Sequence, residues 1–149
     1  MKPDPTLIEE QMCDILDAWH IATHVDQATE FKKRYPFLAN DIIYTYRLSY
    51  CALLCKLLDP AKQKAHMNLC FESEVNSMKS SPGKIQAQEL LARIRQKSAR
   101  YRSVRDKIGS HSSRQVMRSR RAIKTPTVEK TEEINRLLAE LYELVFRSV

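Results

Sequence analysis

One short segment of the chain contains residue types that can cleave a phosphodiester without a metal ion. Arg105 is followed directly by Asp106, and His111 comes after four further residues. Arginine is a bidentate phosphate ligand, and histidine titrates near neutral pH, so it can act as an acid or a base. The pattern predicts that Arg105 binds a phosphate, that Asp106 orients Arg105 or the histidine, and that His111 transfers a proton.

The spacing within this motif limits how its residues can meet. On a continuous helix, residues six positions apart differ by about 240° and about 9 Å, so Arg105 and His111 would not share a face. Either Gly109 interrupts the helix, or a working site combines the motifs of two chains. Cleavage also needs both an acid and a base, whereas one motif supplies one histidine. We therefore expect a homodimer with a composite active site.

Positive charge is concentrated around the motif. Residues 93–124 contain twelve basic residues and one acidic residue, whereas the rest of the chain has a net charge of −4. Such a concentration favours a polyanionic partner, and we expect RNA. A solvated basic helix face, or contact with an acidic protein, is the alternative. The predicted RNA-binding residues are Arg100, Arg102, Lys107, Arg114, Arg118, Arg120, Arg121 and Lys124.

Metal-dependent chemistry is not expected. Asp106 is the only acid in the basic segment, so no carboxylate cluster there could hold two magnesium ions. His20 and His24 have metal-ligand spacing, but they lie away from the centre of the first helix's apolar face, so we favour a solvated position. Cys51 and Cys55 are one turn apart, and we favour core packing for them. No cofactor is predicted.

The elements that must position these residues are all helical. Only two glycines occur, and apolar residues recur at helical spacing. We expect four main helices and one short helix in a single domain, 1–149. Their expected courses are Thr6 (as N-cap) to Tyr35, with or without a bend, then Phe37 to Leu58, Ile85 to Ile108, and Val128 onwards, with Asn68 capping the short helix and residues 61–66 forming a loop or turn. The apolar residues that recur along these helices, including Phe37 and Ile85, are expected to face the core.

Three features of the chain together resemble the HEPN superfamily. These are the Arg105–polar–His111 motif, the run Leu57-Leu58-Asp59-Pro60-Ala61-Lys62, and Asn68-Leu69 after it. The last two resemble the abortive-infection (U-type) subfamily. The resemblance implies a HEPN-like up-and-down bundle and a homodimeric, metal-independent endoribonuclease that leaves 2′,3′-cyclic phosphate ends. Many such proteins are toxins or phage-defence effectors, so an antitoxin or a larger defence effector is an expected partner.

Two further expectations qualify this resemblance. Some toxin members carry a modifiable tyrosine two residues after the histidine, where this chain has Ser113, so that form of control is not expected. Some HEPN proteins only bind RNA or protein, and an adaptor bundle with a basic face is a third possibility.

We see no secretory signal, no membrane span and no C-x-x-C pair, and therefore expect a cytoplasmic protein.

Overall fold

The computed structural model describes residues 5–63, 66–109 and 125–147, which form helices, one pair of two-residue strands and short connecting turns. The helices are α1 (Pro5–Gln27), α2 (Thr29–Arg34), α3 (Pro36–Leu58), α4 (Phe71–Ser77), α5 (Pro82–Lys97), α6 (Ala99–Gly109) and α7 (Val128–Tyr142). A π-helical turn, Glu143–Arg147, follows α7, and β1 (Lys62–Gln63) pairs antiparallel with β2 (His66–Met67). The predicted all-α class is confirmed. None of the described helices is long and apolar enough to cross a membrane.

Helix α3 is the centre of the core. It packs against α1 along its length and against α6, while α5 packs against α7. Most of its C-terminal half is apolar and buried, while Ala52 and Lys56 remain exposed on one side. Its buried residues are Ala39, Ile43, Leu48, Tyr50, Cys51, Leu54, Cys55, Leu57 and Leu58. The buried helix therefore ends at a fixed point, immediately before Asp59.

Hydrogen bonds of two buried tyrosines connect α3 and α6 to α7. The hydroxyl of Tyr50 on α3 donates to Asn135 Oδ1 on α7 at 2.6 Å. The hydroxyls of Tyr101 on α6 and Thr131 on α7 lie 2.7 Å apart, and the two tyrosine rings are in contact at 5.8 Å between centroids. Burial raises the pKa of Tyr101 to about 12. These bonds satisfy buried polar groups and fix the rotation of α6 against α3.

Two of the predicted helices are divided in the structure. The first was expected to reach Tyr35 with or without a bend, and it breaks at Ala28, where Lys32 donates to both the carbonyl and the carboxylate of Asp26. The predicted third helix is interrupted at Ser98, which separates α5 from α6. The buried Ser98 hydroxyl donates to the Ile94 carbonyl, and a serine bonded back in this way bends a helix.

Several individual expectations were wrong. Thr6 lies inside α1 and is not its N-cap. Phe37 and Ile85, expected to be buried, are 74% and 58% exposed. Asn68 does not cap the short helix, because α4 begins at Phe71 and the Asn68 amide instead donates to the Pro60 carbonyl. The expected loop or turn over residues 61–66 contains β1 and the first residue of β2. The start of the last helix at Val128 was predicted correctly.

Glu74 on α4 is the one charged residue buried in the described core, and it should respond to pH. It is 7% exposed, and its Oε1 has no hydrogen-bond partner among the described residues. Burial raises its pKa, so folding favours the protonated carboxyl and stability falls as pH rises above the usual glutamate range near 4.3. We expect Glu74→Gln to raise the free energy of unfolding at pH 7 by about 1 kcal/mol.

Denaturant melts at pH 7 and pH 4 measure this difference. The stability gain of Glu74→Gln should shrink at pH 4, because protonation makes the wild-type carboxyl neutral like the amide. The exposed Glu89 on α5 provides the control, because Glu89→Gln should change stability by less than about 0.5 kcal/mol at either pH. An equal effect of Glu74→Gln at both pH values would show that charge burial is not the cause.

Candidate active site at the C-terminus of helix α3

Arg105 is held between two carboxylates. It lies on α6, one turn after the buried Tyr101, and its guanidinium reaches the end of α3. Its Nη1 donates to Asp59 Oδ1 at 3.0 Å and Oδ2 at 3.3 Å, and its Nε donates to Asp106 Oδ1 at 3.2 Å. Nη2 donates to no group in the described parts of the chain. Within the described residues, one edge of the guanidinium is therefore unbonded, while the other two nitrogens are occupied.

The two carboxylates differ in exposure and therefore in how strongly they attract Arg105. Asp59 is 20% exposed, whereas Asp106 is 65% exposed. Burial alone would lower the pKa of Arg105, but its hydrogen bonds and attraction to Asp59 outweigh burial and raise that pKa. An exposed ion pair is screened by water and contributes little. Asp59 is thus the principal counter-ion of Arg105, and Asp106 is a weaker one that solvent or a ligand can displace.

The backbone of Asp59 is fixed by the way α3 ends. Asp59 precedes a proline, which disfavours the helical conformation, and its backbone is extended at φ −62° and ψ 158°. The carbonyls released at this helix end need donors. Arg95 supplies them, with Nε bonded to the Leu58 carbonyl at 3.0 Å and Nη2 to the Asp59 carbonyl at 3.3 Å.

Residues from α4 and the segment before it hold the rest of this turn. Glu72 Oε1 accepts from Arg95 Nη1 at 3.0 Å, and Glu72 Oε2 accepts from the Ala61 N–H. The Asn68 side chain donates to the Pro60 carbonyl, and its backbone N–H donates to the Ala61 carbonyl, each at 2.8 Å. Residues 58–61 are therefore bonded on both sides, which leaves the Asp59 carboxylate directed at Arg105.

The cysteines of α3 lie beneath this site as buried thiols. Cys55 is one turn before Asp59 and 2% exposed. Burial raises its pKa, although Arg105 and Arg102 oppose the change, and burial raises the pKa of Cys51 to about 12. The expected core role of both cysteines is confirmed by their burial. Within the described segments, no group of three histidine, cysteine or acidic side chains is arranged to hold a metal ion.

A shallow depression, wide open to solvent, runs along α6 beside the Arg105 cluster, and we call it the α6 groove. It has two adjoining parts. One, of about 500 Å³, is lined by Ala99, Arg102, Ser103, Asp106 and Lys107. The other, of about 310 Å³, is lined by Pro60, Arg95, Ala99 and Arg102. Ala99 and Arg102 belong to both, so the groove extends from Asp106 to the 58–61 turn with three cations and one acid along it.

The structure brings together part of the predicted site. Arg105 and Asp106 form one cluster, and Arg102 and Lys107 line the groove beside it. Arg100 is exposed on α6 but does not line either part of the groove. His20 and His24 are exposed on α1. The other predicted residues lie outside the residues that the structure describes; they are His111, Arg114, Arg118, Arg120, Arg121 and Lys124.

The chain has no match among family models, curated proteins or solved structures.

Asp59, Arg95 and Glu72 are site residues that the sequence analysis missed. Asp59 was interpreted as a helix end and as part of a family-like run, not as a partner of Arg105. A signal was nevertheless available. An acid at a helix C-terminus adds negative charge where the helix dipole is already negative, so it requires a nearby cation. The sequence could have indicated that need, but the basic segment offered many candidate partners.

Glu72 gives a pH test of the turn that positions Asp59. The Ala61 N–H and, more weakly, Arg95 lower the pKa of Glu72 in spite of its burial. The stability it contributes is therefore present above the usual range near pH 4.3 and is lost as pH falls through the lowered value. We expect Glu72→Gln to lower the free energy of unfolding at pH 7 by about 1–2 kcal/mol.

The matched comparison is Glu74→Gln, two residues further along α4, where the effect should have the opposite sign. Denaturant melts of both variants from pH 2 to pH 7 provide the measurement. The Glu72→Gln deficit should disappear at the acid end of this series. If the deficit is the same throughout the range, the charge of Glu72 does not stabilise the turn.

Proposed function

We propose that this protein is a metal-independent endoribonuclease of the HEPN type, with Arg105, Asp106 and His111 as its catalytic residues. One observation carries the proposal: Arg105 is oriented by a fixed carboxylate beside a cationic groove, and one of its guanidinium nitrogens is unoccupied in the described chain. An arginine held in this way can bind a phosphate oxygen without first losing its inner counter-ion. Arg102 and Lys107 attract the RNA backbone to the same groove.

In the proposed reaction, the RNA supplies its own nucleophile. The ribose 2′-hydroxyl loses its proton to one His111 imidazole, and its oxygen bonds to the adjacent phosphorus. The bond from phosphorus to the 5′-oxygen breaks, and the leaving oxygen takes a proton from a second imidazole. Arg105 stabilises the charge that builds up on the phosphate oxygens. The products are a 2′,3′-cyclic phosphate and a free 5′-hydroxyl.

The need for two imidazoles is the reason for proposing a homodimer. Each chain has one histidine in the motif, so a two-fold axis beside α6 would give a shared cleft with one acid and one base. In this arrangement α1, α3, the α5–α6 pair and α7 are the four main elements of a HEPN-like bundle, and α4 is its short helix. The proposal extends to a cytoplasmic toxin or phage-defence role, with an antitoxin or a larger effector as partner.

The principal test is cleavage of mixed RNA in excess EDTA, followed by end-group analysis. We expect cleavage to persist under chelation and His111→Ala to reduce the rate by about 10²–10⁴-fold, the usual scale of general acid–base catalysis. DNA, which lacks the 2′-hydroxyl, should survive. His20→Ala, at an exposed position on α1, is the control and should retain the full rate. Activity lost on chelation or retained in His111→Ala would favour the alternative, a HEPN module that binds without cleaving.

Asp59→Asn tests whether the orientation of Arg105 contributes to the rate. The amide keeps the shape of the side chain but removes the charge that orients the guanidinium and offsets its attraction for phosphate. We therefore expect kcat to fall by about 10- to 100-fold, while KM stays constant or decreases. Steady-state kinetics on a defined RNA measure both constants.

The control for this substitution is Asp26→Asn, which removes another partly buried carboxylate paired with Lys32 and Arg47, away from the groove. It should leave both constants near their wild-type values even if it lowers stability. An increase in KM for Asp59→Asn with no change in kcat would contradict an orienting role.

A further inference from the structure

Arg95 is anchored in the turn that ends α3, where three of its five N–H groups are used. Each of its three nitrogens already donates to a group of the protein, namely the carbonyls of Leu58 and Asp59 and the carboxylate of Glu72. Glu72 also offsets its charge at 3.0 Å. The bonds around the edge hold the plane of the guanidinium in one orientation. The side chain is still 30% exposed, so it stays partly accessible to a ligand.

The exposed part of Arg95 lines the smaller part of the α6 groove. This hollow of about 310 Å³ also has nonpolar surface from Pro60 and Ala99 and a second cation, Arg102, and none of the described residues that line it is acidic. Arg102 differs from Arg95 in being 45% exposed, and its ion pair with Asp59 is long, at 4.0 Å. The hollow thus combines a fixed guanidinium plane, two nonpolar residues and one loosely paired cation.

We infer that this hollow is a subsite for one unpaired nucleobase of the RNA, which stacks on the flat face of Arg95. The inference rests on the proposed RNA substrate and adds a preference for single-stranded RNA at the position next to the scissile phosphate. Guanidinium planes and aromatic rings are common stacking partners for unpaired bases. Pro60 and Ala99 exclude water around the base, and Arg102 binds the phosphate that links it to the Arg105 cluster.

This arrangement selects against a duplex. A base in a helix is already stacked and paired, so it would have to leave the helix to enter the hollow. A surface that bound phosphates alone would show no such difference, because its attraction depends on charge density. Preference for single strands is therefore the property that separates a base subsite from general electrostatic binding.

The test uses a 2′-O-methyl RNA oligonucleotide that contains 2-aminopurine at alternate positions, single-stranded or paired with its complement. The 2′-O-methyl groups block the proposed cleavage, and stacking quenches 2-aminopurine fluorescence. We expect quenching when the wild-type protein binds the single strand, and tighter binding of the single strand than of the duplex. Ala99→Leu fills the hollow from an exposed position, so it should remove the quenching and weaken single-strand binding by about 5- to 100-fold.

Duplex affinity should fall much less than single-strand affinity in Ala99→Leu, because the duplex places no base in the hollow. The control is Ala139→Leu, the same substitution at an exposed position on α7, which should bind and quench as the wild type does. Binding without quenching, or identical behaviour of the two variants, would overturn the subsite and leave the proposed ribonuclease intact. Quenching by a protein that fails to cleave unmodified RNA would overturn the ribonuclease and keep the subsite. Absence of binding at micromolar concentration would overturn both.

Discussion

The candidate site depends on how the protein neutralises a carboxylate at the C-terminus of a buried helix. The carbonyls at the end of α3 already carry negative charge, and Asp59 adds more at the same place. Two arginines offset it from different directions, Arg95 through the carbonyls and Arg105 through the carboxylate. Without these cations the extended turn at Asp59–Pro60 would leave partly buried acceptors unpaired. The wall of the α6 groove and the orientation of Arg105 both follow from this charge arrangement.

The same arrangement leaves three neighbouring arginines with different abilities to bind a ligand. Among the described residues, all three nitrogens of Arg95 donate to protein groups, two of the three nitrogens of Arg105 do so, and Arg102 has a long ion pair with Asp59. Net charge alone would treat them as equivalent phosphate ligands. Hydrogen-bond geometry instead separates an arginine that supports the turn, one that is oriented towards a ligand, and one that is available to the RNA backbone. This difference is the basis for proposing distinct phosphate and base positions in a single groove.

The rigidity that the site requires comes from buried polar contacts behind it. Tyr50 and Tyr101 join α3 and α6 to α7, so α6 cannot rotate without breaking buried hydrogen bonds. On the α4 side of the site, Glu72 accepts hydrogen bonds from the Ala61 N–H and from Arg95, and these bonds connect α4 to the 58–61 turn. Glu74, on the same short helix, is buried with no hydrogen-bond partner for Oε1 among the described residues, and burial of a charged carboxylate without a donor opposes folding.

Local signals in the sequence determined the helical class, the end of α3 at Asp59–Pro60 and the start of α7, because periodicity, proline and capping residues act over a few positions. The charge pattern also predicted the position of Arg105 and Asp106 within a basic helix. Only the tertiary structure decided the break at Ser98, the exposure of Phe37 and the pairing of Arg105 with Asp59. That pair joins residues 46 positions apart, and its formation depends on how α6 packs on α3, which no local pattern encodes.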